Sequence, residues 1–226
     1  MAAPVRKLVV TEFVSLDGVY QAPGGPEEDT RGGFKHGGWS LQFWGEEAMQ
    51  YKSNELSATD AILIGRVTYE IFAGAWPTMV DDDVVKLIKD GGGDADSLAA
   101  AAGDGNAFAD KMNSLPKYVV SRTLKKVEWS NSTLIKGDLA EEIGKLKRQP
   151  GGDIVVHGSG DLAQSLMAEG LVDEYRLMVF PTVLGSGFRL FGTADETKHL
   201  RLVDTKPFKT GVVVLTYEPT REGGAK

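Results

Sequence analysis

Short apolar runs that alternate with helical patterns are the feature that most constrains the fold of this chain. Residues 60–65 predict a fully buried strand, and a helical pattern follows directly from Val67. Residues 154–156 and 161–169 repeat this order of strand and helix. Strands that alternate with helices usually pair in parallel, because each crossover helix covers one face of the sheet. The pattern therefore predicts an α/β domain.

The C-terminal part of the chain has a different pattern. Residues 200–203 and 211–217 predict an antiparallel pair of strands that closes the sheet. The sequence contains neither an internal repeat nor a recognisable linker, so residues 1–226 are predicted to form a single domain. Within this domain, residues 81–104 are rich in Asp, Gly and Ala, which predicts an excursion on the surface.

Composition excludes several classes of function. The 226 residues carry 25 basic and 32 acidic side chains, and a net charge of −7 argues against a nucleic-acid or anionic-membrane surface. The absence of cysteine excludes disulfides and thiolate metal sites, and the three histidines are too far apart in sequence to predict a metal site. With neither a signal-peptide pattern nor an apolar run of membrane-spanning length, we expect a cytoplasmic protein.

The segment from Gly158 to Leu162 joins a strand to a helix through two glycines. Glycine lets backbone N–H groups approach a ligand closely, and the start of a helix attracts anions. A pyrophosphate is the natural ligand of such a turn, so Gly158, Ser159, Gly160, Asp161 and Leu162 are candidates for binding it. The alternative is a turn that needs glycine only for its backbone conformation.

Two further strand ends carry residue types that suit phosphate. Gly65 is followed by Arg66 and Thr68, whose guanidinium and hydroxyl groups can bind phosphate oxygens. Ser121 and Arg122 follow another strand, and this pair suits a ribose 2′-phosphate. Surface ion pairing or a solvated turn is the alternative for each segment. Because ligands collect at the carboxyl ends of parallel strands, three such ends together favour a dinucleotide site.

In their order and spacing, these segments resemble the dihydrofolate-reductase-like fold. More narrowly, they resemble the C-terminal reductase domain of the riboflavin-biosynthesis deaminase/reductase, from about residue 6 to residue 218. The resemblance rests on Ser-Leu-Asp-Gly at 15–18, Gly-Arg-Val-Thr-Tyr-Glu at 65–70, Leu-Val-Asp-Glu at 171–174 and Pro-Thr-Val-Leu-Gly-Ser-Gly at 181–187.

The resemblance implies a three-layer α/β/α fold with a mixed, mostly parallel central sheet and antiparallel C-terminal strands. It also implies a homodimer that uses NADPH as its cofactor. The implied reaction is transfer of a hydride from NADPH to a small planar heterocycle or to a carbonyl or imine compound. Two alternatives remain open: a non-catalytic nucleotide-binding homologue, and a reductase that holds a flavin or deazaflavin in the same cleft. The riboflavin reductases carry Lys at the position of Thr11 and Glu at that of His157, so the resemblance does not extend to their substrate.

Five residues are candidates for the substrate side of the site. Asp17 follows the first strand and could orient a substrate or pass a proton through water, although an Asx turn also explains it. Glu47 opens the first helix, where dihydrofolate reductases place a carboxylate, although the helix dipole also favours an acid there. Phe13, Trp39 and Trp44 could wall a pocket for a planar substrate or form a core beneath the long loop at 15–44.

Overall fold

The computed structural model describes residues 5–94, 107–192 and 197–220. Its centre is one eight-stranded sheet with the order β4-β3-β2-β5-β1-β6-β8-β7. The strands are β1 (Leu8–Ser15), β2 (Ala61–Gly65), β3 (Lys117–Val120), β4 (Ser132–Ile135), β5 (Ile154–His157), β6 (Glu174–Phe180), β7 (Leu200–Pro207) and β8 (Val213–Pro219). Strands β1 to β6 are parallel, whereas β8 and β7 are antiparallel, which confirms the predicted mixed sheet.

Six α-helices and two short 3₁₀ turns surround the sheet within the described residues. The helices are α1 (Glu46–Ala58), α2 (Arg66–Ala75), α3 (Asp81–Asp90), α4 (Ala107–Ser114), α5 (Leu139–Lys147) and α6 (Gly160–Ala168); the turns are Arg31–Gly33 and Leu41–Phe43. In the part of the chain that the structure describes, none of the helices is both long and apolar enough to cross a membrane.

Both faces of the sheet are buried at its central strands: successive residues of β2 point to opposite sides, and those on either side are buried. Leu63 of β2 packs with Ile143 of α5 on one face. Its neighbour Ile62 packs with Met112 of α4 on the other face. The predicted three-layer α/β/α arrangement is therefore confirmed.

A break in the pairing of the central strands positions the site. Strand β5 ends at His157, opposite Thr11, whereas β1 continues to Ser15 against β6. The two strands therefore part at the carboxyl edge of the sheet, where the predicted phosphate-binding turns begin.

The segment predicted as a surface excursion, residues 81–104, contains α3. This helix places Ile88 in an apolar cluster with Trp44, where Ile88 is only 3% exposed. The helix therefore belongs partly to the core, because one of its faces covers the 3₁₀ turn Leu41–Phe43. Residues 95–106 of the predicted excursion lie outside the described residues.

Candidate functional site

The two glycine turns predicted to bind phosphate lie against each other. Gly158 and Ser159 have φ angles of 55° and 67°, so the chain reverses sharply between β5 and α6. The amide of Gly65 at the end of β2 donates a 3.0 Å hydrogen bond to the Oγ of Ser159. Because β2 and β5 are neighbours in the sheet, their two turns form one surface.

The long loop at 15–44 lies directly on the start of α6. A Cβ atom at position 160 would lie 2.2 Å from Cζ of Tyr20, so only glycine allows this approach. The Tyr20 hydroxyl donates to Oδ1 of Asp161 at 3.0 Å, and Nη1 of Arg31 lies 3.6 Å from Oδ2. The loop therefore closes over the α6 turn and balances the charge of Asp161.

A cavity of about 530 Å³ lies beside these turns, at the gap between β1 and β5. Its walls include these residues predicted to bind the cofactor: Gly65, Arg66, Thr68, Gly158, Ser159, Gly160, Asp161 and Leu162. The guanidinium of Arg66 pairs with the Glu70 carboxylate at 2.9 Å, and both side chains are about half exposed. An exposed pair of this kind is weak, so Arg66 can exchange Glu70 for a bound anion.

Ser121 and Arg122, the third segment predicted to bind phosphate, lie at the same edge of the sheet but outside the cavity wall. Val120, the last residue of β3, lies opposite Gly65 in register and lines the cavity. The Oγ of Ser121 accepts hydrogen bonds from the amides of Thr123 and Leu124, at 3.2 and 3.0 Å. Arg122 is exposed on the turn beyond it. The structure thus brings Ser121 and Arg122 near the turns without placing them in the cavity.

The two predicted catalytic carboxylates do not line the cavity. Asp17 accepts hydrogen bonds from the amides of Leu184 and Gly185, at 3.1 and 2.9 Å. Glu47 accepts one from the amide of Lys209, at 2.8 Å. Both carboxylates therefore hold neighbouring loops in this structure.

Of the three aromatic residues predicted to wall a substrate pocket, two line the cavity and one does not. Phe13 and Trp44 line the cavity, and their ring centroids are 5.5 Å apart. Trp39 lies outside the wall, 5.4 Å from the ring of Phe180, and its Nε1 donates to the Gln21 carbonyl at 2.8 Å. Trp39 therefore fills the core beneath the loop.

Glu12 is a wall residue that the sequence reasoning missed. It is 3% exposed, and its Oε1 has no hydrogen-bond partner among the described residues. Burial raises its pKa to about 8, helped by the Glu28 carboxylate and opposed by the Lys52 ammonium. A protonated Glu12 can donate a hydrogen bond into the cavity. The sequence signal for Glu12 is an acidic residue on the same face of β1 as the buried residues Val10 and Val14.

Lys52 and Glu55 were also missed, although both lie on the buried face of α1. Nζ of Lys52 pairs with the Glu55 carboxylate and donates to Oγ1 of Thr11 at 3.2 Å. Burial alone would raise the pKa of Glu55, but the positive charges of Lys52 and Arg176 bring it below its usual value. The signal was a pair of charges three residues apart on a stripe with Leu56.

His157 completes the buried polar group beside Thr11. Its ring lines the cavity, and its Nε2 has no hydrogen-bond partner within the described residues. Burial lowers its pKa to about 3, and the positive charge of Lys52 acts in the same direction. His157 is therefore neutral at physiological pH and can offer a ring nitrogen to a ligand.

Residues 6–214 match the RibD C-terminal domain family. The chain belongs to this family. The family consists of reductase-like domains, so the match supports an oxidoreductase. Among curated relatives, the Bacillus subtilis (strain 168) protein YyaP, described as uncharacterized, is 28% identical over 212 residues, which are 94% of either chain.

Solved structures share the fold of this RibD C-terminal domain. Acinetobacter baumannii RibD has a TM-score of 0.56 at 15% identity, over 96% of this chain and 59% of that one. Dihydrofolate reductase from Enterococcus faecalis, complexed with NADP(H), has a TM-score of 0.53 at 12% identity, over 95% and 97% of the two chains. These likenesses confirm the predicted dihydrofolate-reductase-like fold.

Proposed function

We propose that this chain is an NADPH-dependent reductase of a small planar heterocycle or of a carbonyl or imine compound. One observation carries the proposal. The Gly65 and Ser159 turns meet, and the cavity they line also contains Lys52, His157 and Phe13. The surface that we propose binds phosphate therefore adjoins a partly enclosed space large enough for a small molecule.

The residues present fit a dinucleotide. The start of α6 and the left-handed Gly158–Ser159 turn can present backbone N–H groups to a pyrophosphate. Arg66 and Thr68 at the start of α2 can bind further phosphate oxygens, and Ser121 with Arg122 is our candidate for the 2′-phosphate. When bound, NADPH supplies the hydride, while the protein orients both reactants and excludes water.

Binding of the cofactor is tested first by calorimetric titration with NADPH, NADH and FMN. We expect NADPH to bind most tightly. Thr68→Val should weaken that binding, whereas Thr205→Val, a matched change on exposed β7, should not. Failure of NADPH to bind at millimolar concentration would overturn the proposal, and preferential binding of FMN would favour a flavin reductase.

Catalysis is tested second, by NADPH oxidation across a panel of carbonyl, imine and pterin compounds. Turnover of at least one compound is expected. Tight NADPH binding without oxidation of any compound would instead favour a nucleotide-binding protein without catalytic activity.

We also propose a homodimer. Leu202 and Val203 are exposed on β7, at the edge of the sheet, and symmetric dimers are the commonest oligomers. Light scattering should report about twice the 24.3 kDa chain mass, and a monomer at micromolar concentration would contradict the proposal.

A further inference from the structure

The cavity is apolar where α3 and α4 form its wall. Among the described residues, every side chain that α3, α4 and the C-terminal half of α2 contribute to its wall is aliphatic, aromatic or a thioether. Phe72, Ile88, Phe108 and Met112 are examples. A charged group against this part of the wall would lose its hydration without gaining a partner.

Aromatic rings form one side of this apolar part of the cavity. The rings of Trp76 and Phe108 are 5.7 Å apart and inclined by 37°, and Phe72 packs edge-on against Trp76. Trp44 contributes a further aromatic surface. Such walls favour a flat ligand, because stacked and edge-on contacts bury its area without demanding polar partners.

Lys52 is the charged group next to this apolar space. Its Nζ lies 5.3 Å from the ring centroid of Phe13, which in turn contacts Trp44. The described residues give Nζ two hydrogen-bond partners, Thr11 and Glu55, whereas an ammonium group has three donors. One donor of the Lys52 ammonium is therefore without a hydrogen-bond partner among the described residues, and Lys52 lines the cavity.

We propose that the substrate is an uncharged, largely apolar carbonyl or imine compound, and that Lys52 Nζ donates a hydrogen bond to its acceptor atom. The proposal rests on the proposed function, whose substrate class it narrows. A phosphate group is disfavoured where α3 and α4 form the wall, because the described side chains there offer it no partner.

Lys52 then has a catalytic role. Bound NADPH would supply a hydride to the carbonyl carbon, and the π electron pair of the carbonyl would then move to its oxygen. Lys52 transfers a proton to that oxygen, which yields an alcohol and NADP⁺, and the lysine regains its proton from solvent. Glu55 and Thr11 hold the ammonium in place throughout.

Substrate class is tested by calorimetry on the protein with NADP⁺ in excess, because vacant glycine turns in the same cavity could otherwise bind the phosphate of a test compound. We expect 1-naphthaldehyde to bind and 1-naphthyl phosphate to bind at least about tenfold more weakly, since its charge must be desolvated. Leu87→Gln in the wall should weaken naphthaldehyde binding about fivefold, because a polar group replaces an apolar contact. Lys86→Gln, on the exposed side of the same helix, should not. Equal affinity for the two compounds would overturn the proposal.

The role of Lys52 is tested with Lys52→Met, and with the double variant Lys52→Met/Glu55→Gln in case the single change leaves Glu55 charged and unpaired. We expect both variants to bind NADPH like the parent protein while kcat for 1-naphthaldehyde falls at least about 100-fold, the usual size of an acid–base contribution. Unchanged kcat in a folded variant would contradict the role.

The two levels of inference fail separately. NADPH binding without any binding of 1-naphthaldehyde would overturn only the substrate class. Binding of 1-naphthaldehyde without NADPH binding would overturn the proposed function.

Discussion

The amide of Gly65 donates a hydrogen bond to the Oγ of Ser159 across 94 positions of sequence. This contact joins the ends of β2 and β5, which are neighbours in the sheet. The hydrogen bond therefore holds the two turns side by side on one surface of the protein.

Ser159→Ala tests this contact. Loss of the acceptor leaves the partly buried Gly65 amide without its partner, so the free energy of unfolding should fall by about 1 kcal/mol. Urea denaturation measures it, with the exposed Ser114→Ala as control. Glycine tolerates the φ of 67° at this position, so Ser159→Gly should also lose the contact. Parent-like stability of both Ser159 variants would show that the contact contributes nothing.

Arg122→Ala tests the assignment of the 2′-phosphate. A charge-assisted hydrogen bond contributes about 1.5–3 kcal/mol, so affinity for NADPH should fall about 10- to 100-fold while affinity for NADH stays nearly constant. Calorimetric titration with both nucleotides provides the measurement. Lys125→Ala, an exposed change in the same basic segment, serves as control. An equal loss for both nucleotides would remove Arg122 from this role.

Glu12→Gln tests the buried carboxyl group. The pKa of Glu12 is raised to about 8, so between pH 5 and pH 8 the folded protein holds a proton that the unfolded chain releases. Its contribution to stability therefore falls as pH rises, with a limiting slope of about 1.4 kcal/mol per pH unit.

The free energy of unfolding of the parent protein should thus decline relative to that of Glu12→Gln between pH 5 and pH 8. His157, whose lowered pKa acts in the opposite direction below about pH 6.5, is present in both proteins and largely cancels. Parallel pH profiles would show that Glu12 is ionised in the folded protein.

Asp17→Asn separates a structural role from a catalytic one. Hydrogen bonds from the Ser15 hydroxyl and from the amides of Leu184 and Gly185 lower the pKa of Asp17. Its contribution to stability is therefore complete above about pH 4 and declines as pH falls further. We expect a loss of about 2 kcal/mol in free energy of unfolding at pH 7 and an unchanged kcat. A large fall in kcat with stability retained would support the catalytic role suggested by the sequence.

Much of the fold could be predicted from the sequence, because its pattern is local. The apolar run at 61–65 and the helical start at Arg66 reflect burial on both faces and the geometry of a strand–helix turn. The same reasoning located Gly65 and Gly158–Leu162, since close backbone approach requires glycine wherever the turn lies.

The polar groups of the cavity could not be predicted in this way, although Phe13 and Trp44, which were predicted for the substrate side, do line it. Asp17 and Glu47 have catalytic residue types at suggestive positions, yet in the folded chain their carboxylates accept hydrogen bonds from the amides of distant loops. The presence of an acidic residue in the sequence does not reveal which group its carboxylate binds, because that group belongs to a distant part of the chain.

The order of strands and helices, the glycine turns and the family could all be predicted from the pattern of residues along the chain. Glu12, Lys52 and His157 line one cavity because β5 parts from β1 and α1 lies beside the gap. This arrangement could be seen only in the folded chain. The physical reason is that burial and pairing of charges depend on segments far apart in sequence, whereas strand, turn and helix preferences act among neighbours.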